Sequence, residues 1–232
     1  MNKTYYALAA VLIVIICISP YLKDHSAEIN YSNLHEPKVI GQTDYGTVIK
    51  SGPYGNPNST RKIAFIIGVH PLEDNSHMAT VQSFLDISKS LKCSYYFYIV
   101  DVTKDKDSYN NGRMNGQLLA KKFVVEDIKK NNFDLVIDIH ANRGVYKEKR
   151  FIVVPINDNK SLSIAFKIRD ELPWLVYYIP PKEKGPSSPN YVTVPLIKSG
   201  IPAVVYETYK YEPYYLTVKN IKEFILAIDN LS

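Results

Sequence analysis

The chain has 232 residues, 46% of them apolar, and a formal net charge of +5 at pH 7. The apolar share excludes a disordered chain, and the length suits one sizeable core with no compositional break to mark a second domain. The lysines are scattered rather than gathered on one face, which argues against a nucleic-acid partner.

The first element in chain order is "YYALAAVLIVIICISPYL" (Tyr5 to Leu22), uncharged and about as long as a bilayer core is thick. Lys3 before it favours an inside N-terminus. No A-x-A pattern of small residues closes it, so it reads as an uncleaved signal anchor over residues 1–22 with the domain outside the cytoplasm. Secretion after cleavage is the alternative. Residues 23–37 read as a polar tether and residues 38–232 as the folded domain.

Within the domain, "KVIGQTDYGTVIKSG" predicts a hairpin and "GPYGNPNSTR" a turn-rich loop. "KIAFIIGV" is a continuous apolar strand, followed by a helix over 76–91 that is opened by the capping types Asp74, Asn75 and Ser76. "SYYFYIVDV" is a strand, "TKDKDSYNNGR" a loop, and residues 114–131 a helix. "FDLVIDIH" and "RFIVVPI" are strands, 160–171 a helix, "WLVYYI" a strand, and "PPKEKGPSSPN" a loop with four prolines. A short helix over 191–199 leads to the last strand, "IPAVVYETY". The final helix starts near Pro213, where Tyr214, Val218, Ile221, Ile225 and Ile228 form one apolar stripe. Strands that are apolar throughout and alternate with helices imply a three-layer α/β/α domain around a mixed, mostly parallel sheet.

Ligands of such sheets bind beyond the carboxyl ends of the strands, so the residues there carry the functional information. In "FIIGVHPLED" the strand runs out at His70, and Glu73 follows three residues later. "DLVIDIHAN" ends at His140, and "AVVYETY" carries Glu207. Each alone has an ordinary reading: a loop pair, a hydrogen-bonded core histidine, a carboxylate paired with a lysine. Together they supply two imidazoles and a carboxylate, the ligand set of a catalytic zinc with an open fourth position, plus a second carboxylate to move protons. Two cysteines, Cys17 and Cys93, are too few for a thiolate cage, so a metal here must use His and carboxylates. Asp138 lies two residues before His140, on the same strand face, where it can support a ligand histidine. His77, about two turns after His70, competes as a ligand but reads better as an exposed surface histidine.

"GVHPLE" resembles the His-x-x-Glu element of zinc carboxypeptidases of the carboxypeptidase A type and of their relatives, the succinylglutamate desuccinylase and aspartoacylase group. "DIH" resembles the Asp-Leu-His element of the latter branch, and "YET" sits where the family carries its catalytic glutamate. The resemblance covers roughly residues 60 to 232 in element order. It implies one Zn2+ ion held by His70, Glu73 and His140, with Glu207 as general base and acid acting on a metal-activated water. It also implies arginines that grip a substrate carboxylate. Arg113 in "NNGRMNG" and Arg143 in "HANRG" are the candidates, and arginine suits the task because its planar fork pairs bidentately. Tyr191, after the proline-rich loop, is the candidate for the family's mobile-loop tyrosine. The expected function is thus a membrane-anchored zinc metallopeptidase that cleaves an amide bond near a free carboxylate in short or cell-wall peptides. The alternatives are an N-acyl amino acid deacylase on the same site and a non-catalytic peptide- or wall-binding domain.

Overall fold

The computed structural model describes residues 34–181 and 188–231. The anchor expected over residues 5–22 lies outside them, and among the described residues no helix is long and apolar enough to cross a membrane.

Eight strands form one sheet: β1 (Lys38–Thr43), β2 (Gly46–Gly55), β3 (Lys62–Ile67), β4 (Ser94–Val102), β5 (Leu135–Asn142), β6 (Phe151–Val153), β7 (Val176–Tyr177) and β8 (Ala203–Tyr209). Their order is β1-β2-β4-β3-β5-β8-β6-β7. The centre, β4-β3-β5-β8, is parallel throughout. These strands are Ile, Val, Phe and Tyr runs, and β5 is buried along its whole length, as a strand covered on both faces must be. The edges differ. β1 and β2 form the expected hairpin, and β2 runs antiparallel to β4. β6 runs antiparallel to β8 and parallel to the edge strand β7, so an antiparallel pairing flanks the parallel centre on each side. Four of the seven strand pairings are parallel, so the sheet is mixed and mostly parallel, as its apolar strands alternating with helices imply.

The helices are α1 (Asp74–Ile87), α2 (Tyr109–Leu119), α3 (Val125–Lys130), α4 (Asn159–Glu171), α5 (Thr193–Lys198) and α6 (Tyr214–Asp229). Helices α1 and α4 each pack on α6, and α3 packs on α5. Tyr206 stacks on Phe224 of α6, with ring centroids 4.2 Å apart, while its neighbour Glu207 points to the opposite face. Helix α2 begins five residues earlier than the composition "SYNNGR" suggests. Ser108 caps it by accepting from the Asn111 amide at 3.3 Å, which overrides the poor intrinsic propensity of Asn and Gly. A π turn over Ala120–Val124 joins α2 to α3.

Helix α1 is buried through small polar residues rather than an apolar stripe. Ser76, Thr80 and Ser83 each donate back to a carbonyl three or four residues earlier, which satisfies their hydroxyls inside the core. This also corrects the reading of His77. It is 4% exposed, enclosed in this helix, and not a surface histidine.

Two glycines bring the elements of the site together. After β3 the chain turns at Gly68 with φ +86°, and a Cβ there would lie 2.1 Å from the Val100 carbonyl oxygen of β4. On α2, a Cβ at Gly116 would lie 2.1 Å from the Val69 carbonyl oxygen, so the helix backbone rests directly on the residue before His70. Gly116→Ala must lift α2 off this turn. It is expected to lower unfolding free energy by about 1–3 kcal/mol, as overpacking does. Leu118→Ala, on the exposed side of the same helix, should stay within about 0.5 kcal/mol. Denaturant titration of the two variants checks this, and equal stabilities would refute the contact.

Candidate metal centre and cleft

The turn after β3 carries the first two site residues. His70 precedes a 3-10 turn, Pro71–Glu73, whose Leu72 carbonyl accepts from the Lys210 Nζ beyond β8. The turn folds the His-x-x-Glu pair back on itself, so that His70 Nδ1 lies 2.9 Å from Glu73 Oε1. His140 comes from β5, and its Nδ1 lies 2.9 Å from Glu73 Oε2. The Ala141 amide donates to the same oxygen at 3.0 Å, and Arg113 Nη1 donates to Oε1 at 3.0 Å. Ligand atoms of His70, Glu73 and His140 all lie within 4.8 Å of one another. All three residues are buried.

In the parallel β5–β8 pair His140 is in register with Glu207, so the two side chains leave the same face of the sheet. Glu207 lines one cleft with His70, Glu73, Arg113, Arg143 and Tyr146. The cleft holds about 500 Å³ counted out to its open mouth. Beside Glu207, Phe151, Val153 and Val205 form a small apolar cluster with Tyr146 and Tyr178 against it.

The electrostatics follow from this packing. Burial would raise the Glu73 carboxyl, but the charges and hydrogen bonds of His70 and His140 overcome it and hold Glu73 well below the usual range. Burial would lower His140, but Asp138 and Glu73 on either side raise it well above its ordinary value. Burial wins at His70, which is pushed down to about 4, and at Glu207, which is pushed up to about 8. Burial and the Glu207 charge also push the Tyr146 phenol up, so its hydroxyl remains a donor.

A divalent metal fits these residues. Both Nδ1 atoms face the Glu73 carboxylate at 2.9 Å, one donor atom from each residue lies within 4.8 Å of the others, and two imidazoles with a carboxylate are a donor set that zinc takes. Asp138, fully buried, has Oδ1 3.2 Å from His140 Nε2, behind the ligating nitrogen. The approach is within ion-pair distance but poorly aligned, and among the described residues neither oxygen has a well-directed hydrogen-bond donor. Ser188 Oγ lies 3.1 Å from the same nitrogen, and a proton on Nε2 shared between these two oxygens would leave Nδ1 free to ligate.

Arg113 and Arg143 both line the cleft, and each guanidinium carbon lies 5.0 Å from the Tyr109 ring centroid. Tyr191 is not among the cleft residues. It packs against the main core with Lys121 Nζ 5.9 Å above its ring. The tyrosines that do line the cleft are Tyr109 and Tyr146, and the sequence singles out neither among 19. Gln117 is the other unmarked residue, 2% exposed with its Nε2 3.1 Å from His70 Nε2. Its signal was present in the spacing, since it lies one turn after Arg113 on the same helix face. His77 stays outside the cluster, and its Nε2 has no partner among the described residues.

No protein-family model and no functionally curated protein matches the sequence. Solved structures share the fold. They include a metallo-carboxypeptidase from Burkholderia cenocepacia, with TM-score 0.55 and 11% identity over 84% of this chain and 64% of that one. A second is the metallo-carboxypeptidase from Pseudomonas aeruginosa in complex with (2-guanidinoethylmercapto)succinic acid, with TM-score 0.53 and 12% identity over 79% and 60%. A third is the tripeptide-bound cell shape determinant Csd4 from Helicobacter pylori, with TM-score 0.53 and 12% identity over 79% and 54%. The chain therefore has the fold of the metallo-carboxypeptidases and spans less than two thirds of the length of each of these.

Two measurements test the centre. Asp138→Asn is expected to weaken zinc binding about 10–100-fold in competition with a chelator, because an amide no longer fixes the Nε2 proton. His77 is held down at about 3 in the fold by burial, against 6.5 when unperturbed. The folded state then binds fewer protons, so this contribution is fully present above pH 6.5 and is lost as the pH falls toward 3. The melting temperature of the metal-free protein should fall more steeply between pH 7 and pH 4 (an interval of about three units) than that of His77→Gln. Parallel curves would refute it.

Proposed function

We propose that this chain is a zinc-dependent, carboxypeptidase-like hydrolase that cleaves an amide bond near a free carboxylate in short or cell-wall peptides. The observation that carries this reading is Glu73 clasped at 2.9 Å by the Nδ1 atoms of two histidines, with Glu207 in register with His140 and in one cleft with His70 and Glu73. His70, Glu73 and His140 would hold the ion. Zinc, when bound, supplies Lewis acidity that polarises a carbonyl and acidifies water.

The remaining chemistry falls to the chain itself. Glu207 accepts a proton from the attacking water as the water oxygen bonds to the carbonyl carbon. It returns that proton to the nitrogen as the C–N bond breaks. Hydrolysis balances without any further reactant. Burial among Phe151, Val153 and Val205 suits this role, because a carboxylate raised toward neutral pH both takes and gives a proton readily. Arg113 and Arg143 receive the substrate carboxylate, with Tyr109 as the surface on which both guanidinium groups rest. Tyr146 contributes a hydroxyl donor at the cleft wall.

The peptide substrate is supported by the fold likeness to Csd4, which was solved with a tripeptide bound. A second reading, deacylation of N-acyl amino acids, is supported by the Asp138-x-His140 order on β5, the pattern of the desuccinylase and aspartoacylase group. The same proposal puts the domain outside the cytoplasmic membrane, held by the apolar segment 5–22.

Replacement of Glu207 by Gln should lower kcat by about 10²–10⁴ while zinc content stays at one ion per chain. Turnover of a panel of peptides and acyl amino acids, with zinc measured by elemental analysis, reads both. A fully active Gln variant sinks the mechanism. Peptide binding that survives chelation without any turnover points instead to a binding domain.

A further inference from the structure

The parallel strands have two ends, and the cleft occupies one of them. At the other end, residues 56–61, 88–93, 129–134 and 198–202 lead into β3, β4, β5 and β8. These connections carry Arg61, Lys89, Lys92, Lys129, Lys130 and Lys198 against a single acid, Asp134. That acid is already engaged, since its Oδ2 accepts from the Lys62 amide at 2.8 Å. The five lysines are exposed, and Lys129 pairs with Glu126 at 3.0 Å. Scattered in sequence, they meet because α1, α3 and α5 all return the chain to the same end of the sheet. A lysine at a helix carboxyl terminus is ordinary, because it offsets the helix dipole. The shortage of acids beside them is not. The cleft end lacks this bias, since 103–108 alternates Lys104, Asp105, Lys106 and Asp107.

The chain enters the domain at this same end. Leu34 is buried, and the His35 carbonyl accepts from the Gly52 amide at 2.8 Å and from Ser51 Oγ at 2.6 Å. The His35 amide donates to the Tyr54 hydroxyl at 2.9 Å. Ser51 and Tyr54 are in register with Phe97 and Tyr95, toward the amino end of β4. Strand β1 then sets out from that end, because it and β4 both run antiparallel to β2. The tether expected over residues 23–37 is therefore fixed to the domain from Leu34 onward. Eleven residues separate Leu22 from Leu34, and they span at most about 40 Å.

We propose that this basic end docks on anionic lipid headgroups, so that the cleft opens away from the membrane. This rests on the reading of residues 5–22 as a membrane anchor. Lysines are drawn to an anionic bilayer only within about a Debye length of its surface, and a short tether that enters beside them keeps them near it. Nucleic acid is the other polyanion that such a patch suits. The entry of the chain at the patch, a short way from an apolar segment, favours the lipid surface. Docking of this kind bears on the substrate. It turns the cleft toward peptides displayed at a distance from the bilayer, such as those of a cell wall, and away from peptides attached to lipid.

Hydrogen exchange of the full-length chain in vesicles tests this, with phosphatidylcholine alone compared against phosphatidylcholine mixed with phosphatidylglycerol. In the anionic vesicles the amides of 88–93, 129–134 and 198–202 should exchange several-fold more slowly, while those of 103–108 and 143–150 at the cleft stay unchanged. The protection should be lost when salt is raised from about 0.15 M to about 1 M, because the Debye length falls from about 8 Å to about 3 Å. It should also be lost, at the lower salt, in a variant that combines Lys89→Glu, Lys130→Glu and Lys198→Glu. Equal exchange in the two kinds of vesicle, or slowing at the cleft loops instead, overturns the proposal. So does slowing by duplex DNA that anionic vesicles do not reproduce. The wild-type comparison decides it even where the triple variant does not fold. Extraction of the chain from the vesicles by alkaline carbonate defeats the anchor reading alone, because the lipid-dependent protection is read separately.

Discussion

The carboxylate of Glu73 is the constraint on which the site depends. A charge this deeply buried is tolerated only when its oxygens are fully engaged. Here Oε1 meets His70 and Arg113, and Oε2 meets His140 and the Ala141 amide. These partners come from the turn after β3, from α2 and from β5. One acid therefore ties together three elements that are remote in sequence. Cation binding at this point would replace the imidazole protons now directed at Glu73, so metal affinity and proton release are coupled through the same carboxylate.

The sheet divides its work accordingly. The parallel centre brings His70, His140 and Glu207 to one edge, because β3, β5 and β8 all run the same way. The antiparallel additions close the flanks. β6 is in register with β8 at Phe151 and Glu207, and it supplies the apolar wall that keeps that carboxyl dry. The loop between β5 and β6 is held by Asn142, whose amide donates to the Lys149 and Thr208 carbonyls while its oxygen accepts from the Gly144 amide. Arg143 and Tyr146 ride on this loop, so the cleft wall is attached to the strand that carries His140.

Much of the fold was legible because burial on both faces leaves long apolar runs. The four central strands and the helices α4 and α6 stand close to where the pattern puts them. The short edge strands were less so. "WLVYYI" forms only a two-residue ladder at Val176–Tyr177, since β-rich composition does not by itself find a partner strand. Helix α2 was late in the sequence reading because Ser108 acts through a single hydrogen bond, which outweighs several poor helix formers. His77 misled for a related reason. A helix rich in Ser and Thr looks solvent-facing until its hydroxyls are seen bonding back to its own carbonyls.

The sequence by itself determined which residue types end the central strands, since a His or Glu that interrupts an apolar run stands out locally. It also determined the pairing of His70 with Glu73, because a spacing of three closes within one turn. Only the tertiary structure decided which distant groups complete them. Gln117 rather than another polar residue, and Tyr146 rather than Tyr191, reach the cleft because Gly116 lets α2 settle on Val69 and Asn142 anchors the loop after β5. Such contacts depend on backbone approach across the fold, and no local pattern of residues encodes that distance.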